Sequence, residues 1–529
     1  MASHPGSTLS GMHGNTTSKR YSSLAQTRQN FLEVGWNAAE LTLPFILPRH
    51  IGINQKLQTP YQGIGARGVN NLTAKLLLTL FPPNSPFFKF QIDDFTLEEL
   101  QAQRAPVEEG LNSMERAVMD EIESRSMRVP LNECLRHLLI TGNAVIHASK
   151  DNTLRVFHLD QYVLRRDPQG TVLEIIIKEA MSRELFKDIF GHAPPNEKGS
   201  ATDSNEKELD LYTCVKRKDK KIYVHQEVND KRIPKTNSTF PIEKNPWLAL
   251  RYNSIDGEDY GRGFVEEYLG DLQAVEGLSQ AILEGTAAAA KVIFLVKPGG
   301  MTKARTISNA PNLAVRAGVG DDVSVIQVEK FNDFRVARET LESIERRLAA
   351  AFLLNQSVQR DAERVTAEEI RLMANELETS LGGIYSLLSH ELQLPLVKRI
   401  ISVLEKTEKL PQLPEGVVEP VIITGFEALG RGNDANKLAT FLQTATQILG
   451  PEAVIGYVNT SDVLKRLGVG FGIDMKGLIK TEEQVQQERQ EFQRQQQQAE
   501  MMKAATPNAV TQGGEMIREN RQGANQSGN

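Results

Sequence analysis

Cysteine is almost missing from this chain: two in 529 residues, Cys134 and Cys214, in separate segments. That excludes a disulfide framework and a cysteine-rich zinc site. Long apolar runs are missing too. The longest, Thr286–Val296, is 11 residues and carries Lys291, whereas a spanning helix needs about 20. No sign of charge dominates. Lys plus Arg is 61, Asp plus Glu is 67, and the formal charge is −6. A generally basic nucleic-acid coat is therefore excluded, while a local basic patch or a channel that DNA passes without sticking is not. Met1–Arg20 is polar and lacks the apolar stretch of a signal peptide. Aromatics are only 6%, yet 40% of residues are hydrophobic, enough for a sizeable core. The length suggests roughly three to four folding units, and the expectation is a large, soluble, cytosol-made protein.

Catalytic signatures are scarce as well. There is no P-loop, no nucleophile elbow, no H-E-x-x-H and no C-x-x-C. Nothing supports ATP hydrolysis, acyl transfer or metal-assisted hydrolysis. Gly63-Ile64-Gly65-Ala66-Arg67-Gly68 does match the dinucleotide fingerprint. A dinucleotide site needs a strand before it and an acid about 20 residues on. Gln58–Gln62 is no buried strand, and Asp93 and Asp94 lie past Pro82-Pro83, so the match reads as a flexible start to a helix. Gly320-Asp321-Asp322 looks like a metal turn without a partner acid, and reads as a tight turn before a strand. Pairing Ser149 with Leu154 sets His147 opposite Val156 and His158 opposite Val145, with no third ligand, so both read as partly buried sheet histidines.

What is present is a change of period along the chain. Residues 1–20 read as a disordered arm. Helical spacing follows over about Tyr21–Leu43, Gly65–Leu80 and Thr96–Ile140, the last broken near Pro130. Alternation then predicts strands at Ala144–Ser149, Leu154–Leu159, Tyr162–Asp167, Thr171–Lys178, Asp210–Val215 and Lys220–Glu227, an antiparallel meander after a helical bundle. Gly261–Ala290 is helical again. An insertion carries strands at Val292–Val296, near Leu313–Ala317, and at Val323–Val328. A helix from Asn332 or Asp333 to Asn355 would be about 36 Å long, with a narrow apolar stripe fit for side-by-side packing. Arg346 and Arg347 are adjacent on it, about 100° apart, and cannot both point the same way. The polar stretch Asn355–Arg364 interrupts it; from spacing alone this reads as an exposed helix–helix connection. Thr366 with Glu369 forms a capping box that restarts a helix, which Pro395 should kink. Small helices are expected over Asp434–Leu467. A Gln-rich tail follows, helical over Glu482–Ala505 and disordered after Pro507. Two long helices thus flank a β-rich insertion of roughly 40 residues, like a stalk with a tip.

Longer strings narrow the field. They are Tyr61-Gln62 with Gly65–Leu72 and Leu80-Phe81-Pro82, Tyr260-Gly261-Arg262 with Glu266–Leu272, Gln359-Arg360 with Glu363–Arg371, Leu381-Gly382-Gly383, Glu391–Val397, Glu419-Pro420 with Gly425, and Gly430-Arg431-Gly432. They resemble the portal, or head-to-tail connector, proteins of short-tailed double-stranded DNA bacteriophages (podophages), over about Tyr21–Glu483. The resemblance implies an α+β, mainly helical, ring-forming portal fold with wing, stem, clip and crown. Residues 21–260 would be the wing, 261–290 and 332–354 the stem helices, and 291–331 the clip. Residues 355–365 would be the tunnel loop, 366–425 a kinked helix returning to the wing, and 426–480 the crown. The arm 1–20 and the tail 481–529 fall outside the pattern.

The implied function is a dodecamer at one capsid vertex that nucleates head assembly, docks the terminase large subunit, binds the tail adaptor and conducts DNA in packaging and ejection. Other implied partners are the major capsid and scaffolding proteins, internal core proteins and non-specific double-stranded DNA. No membrane, cofactor, metal or catalysis is implied, and the place is the virion, with the host cytoplasm during assembly. Tunnel-loop residues facing DNA would be Asn355, Gln356, Gln359, Arg360, Glu363 and Arg364. Clip contacts would use Lys297, Lys303, Arg305 and Arg316, and the stem would show Arg338, Arg346 and Arg347. Twelve copies would sum to about −72, a repulsive field in which DNA slides. A dinucleotide-dependent enzyme and a helical scaffold other than a portal are the competing readings.

Overall fold

The computed structural model describes residues 16–49, 57–83, 86–91, 104–195, 208–289, 293–311, 313–326, 331–354, 367–410, 421–424 and 431–450, with scattered single residues beyond. The chain divides into two compact units, Met1–Leu429 and Gly430–Asn529.

The first unit opens with α1 (Thr17–Glu40). It starts inside the expected arm, because Ser18 and Arg20 have distant partners. Ser18 Oγ donates to Asp230 at 2.5 Å, and Arg20 Nε donates to Glu174 at 3.1 Å. Next come α2 (Ile64–Leu80), β1 (Phe88–Gln91), α3 (Arg104–Ser124) and α4 (Arg128–Thr141). The break between α3 and α4 lies at 125–127, not at Pro130. Pro130 instead occupies the first turn of α4, where its missing N–H leaves no intrahelical bond unmade.

The β region begins with β2 (Asn143–Ala148) and β3 (Leu154–Phe157), then β4 (Tyr162–Arg166) and β5 (Val172–Met181). A short helix absent from the sequence reading, α5 (Arg183–Phe190), is capped by Ser182 Oγ, which accepts the Leu185 N–H. β6 (Leu209–Lys218), β7 (Lys221–Val228), β8 (Lys231–Arg232), β9 (Ser238–Pro241) and β10 (Trp247–Arg251) follow. The expected meander is present as β4-β5-β6-β7, all antiparallel, with β8 and β9 both on β7. β2 sits instead between β3 and β10 in a separate three-stranded sheet. The short, weakly alternating β8 and β9, and the continuous apolar run of β10, carry no clear period-two signal.

The β2–β3 register is one residue off the expected one. Ala148 pairs with Leu154, so His147 faces Arg155 and Val145 faces Phe157. His158 lies beyond β3 and caps a 3₁₀ turn (Leu159–Gln161). His147 stacks on Trp247 at 4.0 Å. Burial, with Arg399 and Arg155 nearby, pushes its pKa down to about 4. Burial, then His137 and Arg28, does the same to His158, again to about 4. These are partly buried histidines, held neutral at pH 7.

One large core joins the helices to the sheets, from Leu32 on α1 through Leu72, Leu138, Tyr162 and Tyr260. The helical segment expected from Gly261 begins later, as α6 (Phe264–Glu267) and α7 (Leu269–Ala289), because Arg262 is still bridged to Asn253 in extended pairing. Then come β11 (Ile293–Val296), α8 (Ala304–Ser308), β12 (Val323–Ile326) and α9 (Phe331–Ala351). β11 and β12 form an antiparallel ribbon, but Leu313–Ala317 is not a strand. Gly320–Asp322 is the expected turn before β12. α9, at 21 residues, is about 31 Å long, and Asn332 and Asp333 lie within its first turn.

α10 spans Ala367–Ser380. The main break in the following run is not at Pro395 but at Gly382-Gly383, whose φ of 63° and 89° suit residues without a Cβ. α11 (Ile384–Leu388) runs into a π-turn (Ser389–Gln393) and then α12 (Leu394–Lys406). Pro395 sits in the first turn of α12, and the wide π-turn before it absorbs its missing donor. β13 (Val421–Thr424) returns to pair with β1. The second unit, by itself, carries α13 (Arg431–Leu449), across the start of the stretch where small helices were expected.

Candidate functional site

The excursion from α7 through the ribbon and back along α9 holds most of the predicted site residues. α7 and α9 pack side by side. Gly285 of α7 lies against the Phe334 ring; a Cβ there would come within 2.5 Å of it. At the other end Arg347 donates to Asp271 at 2.7 Å, tying α9 to α7. Arg346 points elsewhere. With Arg338 it brackets Glu342 on the outer face, at 3.9 Å and 3.0 Å, and both arginines are largely exposed. The two adjacent arginines thus diverge as helical geometry requires, and only Arg338 and Arg346 share a face.

The base of α9 is packed by aromatic rings. Phe352 is fully buried, edge-on to Phe264 at 5.4 Å and tilted against Tyr268 at 6.1 Å. Gly68 makes room for it: a Cβ on Gly68 would sit 2.4 Å from the Phe352 ring. Gly65 is as tightly placed: a Cβ there would sit 2.4 Å from the Leu41 carbonyl oxygen. These glycines are therefore packing residues. Among the described residues no strand precedes them, and a dinucleotide cradle does not fit the space.

The predicted loop residues Asn355, Gln356, Gln359, Arg360, Glu363 and Arg364, together with Thr366, lie outside the described residues; Glu369 lies on α10. The flanks of that segment are described, and α2 holds both. Asn71 Nδ2 donates to the carbonyl oxygens of Phe352 and Leu353 at 2.9 and 3.1 Å. Lys75 Nζ donates to the Leu353 carbonyl at 3.3 Å and pairs with Glu376 of α10 at 3.8 Å. Lys75 thus reaches both the helix entering the segment and the helix leaving it. Pairing within α2 alone would not predict this, because the partners are about 280 and 300 positions away in sequence.

At the tip, Lys297, Lys303, Arg305 and Arg316 are all exposed, with no acidic partner within ion-pair distance among the described residues. Thr302 is the organising residue. Its N–H donates to Asp322 at 3.1 Å, and its Oγ1 accepts from Val319 N–H at 2.9 Å. Among the described residues no cluster of His, Cys, Asp or Glu fits a metal ion, and no helix is long and apolar enough to cross a membrane.

A family model described as bacteriophage head to tail connecting protein matches residues 15–479. The chain belongs to that family. Its role is to connect head to tail in a phage particle. Among curated relatives, the portal protein of Enterobacteria phage T3 is 38% identical over 481 residues, 88% of each chain. The portal protein of Escherichia phage T7 is 38% identical over 478 residues, again 88% of each. That of Enterobacteria phage SP6 is 28% identical, over 93% of this chain and 95% of its own. A solved structure, the neck of an empty GTA particle, aligns at TM-score 0.38 and 12% identity, over 78% of this chain and 90% of that one.

Functional residues missed from sequence are those whose partners are remote: Asp271, Asn71, Lys75 and Phe352. The tip is more apolar on its surface than its basic residues suggest. Its large apolar side chains, Phe294, Leu295, Met301, Leu313, Val315 and Val319, are exposed.

Proposed function

We propose that twelve copies of this chain form the portal ring at one capsid vertex. The observation that carries the reading is the helix–ribbon–helix excursion in a chain that aligns nearly end to end with phage portal proteins. In this reading α7 and α9 are the stem lining a channel, and the ribbon with α8 is the clip. Residues 355–365 form a loop that meets DNA, and α10–α12 return to the wing. Residues from about 426 to 480 form the crown. The chain contributes no catalysis and binds no cofactor. Its partners are the terminase large subunit during packaging and the tail adaptor afterwards, with capsid, scaffolding and internal core proteins around the ring. It works in the virion after assembly in the host cytoplasm.

Two physical features support a conduit rather than a clamp. The outer face of α9 interleaves Arg338, Glu342 and Arg346, so phosphate attraction is locally balanced. The net charge of −6 per chain repels DNA at longer range. Asn71 and Lys75 hold the flanks of the loop, so the loop would move against a fixed base. The test is end-on negative-stain imaging of the full chain, followed by deletion of Gln356–Glu363. Closed rings with a duplex-wide hole are expected, and the deletion should keep rings while reducing packaging or DNA retention. Monomers across concentrations and salts would overturn the ring, and wild-type packaging and retention by the deletion would remove the loop's role.

A further inference from the structure

The meander carries its charge unevenly. Lys216-Arg217-Lys218-Asp219-Lys220-Lys221, the hairpin joining β6 to β7, has five basic residues and one acid in a chain whose formal charge is −6. All six are exposed. Arg165, Glu174, Lys216 and Tyr223 are successive cross-strand partners on β4 to β7, so they share one face of the sheet. Lys218 and Lys221, two residues further along their strands, share it too. α1 covers the neighbouring row on that face, Val163, Ile176 and Cys214. It leaves Arg165, Lys216 and Tyr223 exposed and adds another cation, Arg20. The acids that answer this group are few. Glu174, mostly buried, is 3.1 Å from both Arg20 and Lys216, and Asp219 is 4.0 Å from Lys218. Among the described residues no ion pair reaches Arg165 or Lys221. Lys218 and Lys221 face each other directly, a like-charge pair that weakens a ladder. Lys220 sits at φ 60°, where glycine or asparagine suits a hairpin turn better. The hairpin thus keeps cations where local stability favours other residues.

We propose that the face formed by Arg20, Arg165, Lys216, Lys218, Lys221 and Tyr223 binds the phosphate backbone of duplex DNA, as a contact separate from α9 and from residues 355–365. An anion lying over the hairpin relieves the Lys218–Lys221 repulsion, which no acid of the sheet does. The cations do not converge on one point, as they would for a single phosphate or carboxylate. Lys216 and Lys218 are about 7 Å apart along β6, and Arg165 lies two strands away across the sheet. Such a spread array fits a continuous line of charge, and duplex DNA carries one negative charge per about 1.7 Å of its axis. Tyr223, 41% exposed between the cations, brings a hydroxyl that can donate to a phosphate. Backbone contacts of this kind hold DNA without reading its sequence. The choice of DNA as the polyanion rests on the function proposed above; the face itself is the new element.

The test is filter binding of a closed circular plasmid to the purified full chain at several salt concentrations, with end-on imaging of the same samples. A closed circle cannot thread a closed ring, so it reports contacts outside any channel. Lys218→Gln combined with Lys221→Gln should weaken plasmid binding about tenfold at 50 mM salt and make the slope of log affinity against log salt shallower by about 2 per bound copy. Lys231→Gln, at the other end of β7, should leave both unchanged. Rings that bind plasmid equally well with and without Lys218 and Lys221 would overturn the face and leave the ring standing. Absence of plasmid binding by the unaltered chain at 50 mM salt would overturn the face as well. Binding that is lost in the double variant, by chains that form no ring, would keep the face and overturn the ring. Polyglutamate that displaces the plasmid at equal charge concentration would assign the face to an acidic protein and overturn DNA as its ligand.

Discussion

The meander and the tip use the same sequence grammar and meet opposite fates. On β4, β5 and β6, the alternating residues Val163, Ile176 and Cys214 are fully buried, packed with Tyr21 and Leu24 of α1. On the tip, the equally regular Leu313 and Val315 are almost wholly in water. Alternation fixes which side chains share a face. It does not say which chain covers that face. In the meander the covering helix is 140 residues or so away in the same chain; at the tip no described part of the chain supplies it. The contrast also separates two jobs. The meander and its helices make a platform, and Arg28 shows how tightly it is fastened. This buried guanidinium donates to the carbonyl oxygens of Leu159, Asp160 and Tyr162 at 2.7–3.0 Å and to the Asp160 carboxylate at 3.2 Å. The tip is shaped more lightly, by the short β11–β12 ladder and the bonds of Thr302 to Asp322 and Val319.

Three measurements sharpen that contrast. The largest effect belongs to the platform where it meets α9. Phe352→Ala removes a fully buried ring against Gly68, Phe264 and Tyr268, and should destabilise the chain by about 3–5 kcal/mol in urea unfolding. A loss under about 1 kcal/mol would show that the base of α9 is not part of the platform core. The second effect is pH dependence. His147 and His158 have pKa values depressed to about 4 in the fold, against about 6.5 when unfolded. The unfolded chain binds their protons first, so this stabilisation is complete above about pH 6.5 and is lost as pH falls toward 4. The slope should be about 1.4 kcal/mol per pH unit for each histidine. His147→Leu should flatten that slope relative to the unaltered chain while keeping the Trp247 contact, and an unchanged slope would remove His147 from the account. The smallest effect is at the tip: Leu313→Ser should alter the stability of the dissociated chain by less than about 0.5 kcal/mol. A larger loss would mean the tip is covered by its own chain after all.

Several elements were legible before any coordinates. The α7–tip–α9 excursion followed from a change between helical and alternating spacing, and the meander from turn chemistry such as Pro168-Gln169-Gly170. Other elements were misread for local reasons. Pro130 and Pro395 both sit in first turns, where a missing N–H leaves no intrahelical bond unmade, so neither residue marks the exact place where a helix ends. The His147 register differs by one because the turn between Ser149 and Thr153 spans three residues, where Ser149 opposite Leu154 needs four.

Sequence by itself determined the periods, the breaks and the family strings, because these depend on neighbours within a turn or two of the chain. Tertiary structure decided the rest. It turned Arg347 inward to Asp271, 76 positions away, and left Arg346 outside. It made Gly68 a seat for Phe352 and Lys75 a brace between the two helices around residues 355–366. Each of these depends on which remote backbone comes within a few ångströms. No local spacing encodes that, because it is set only when the whole core closes.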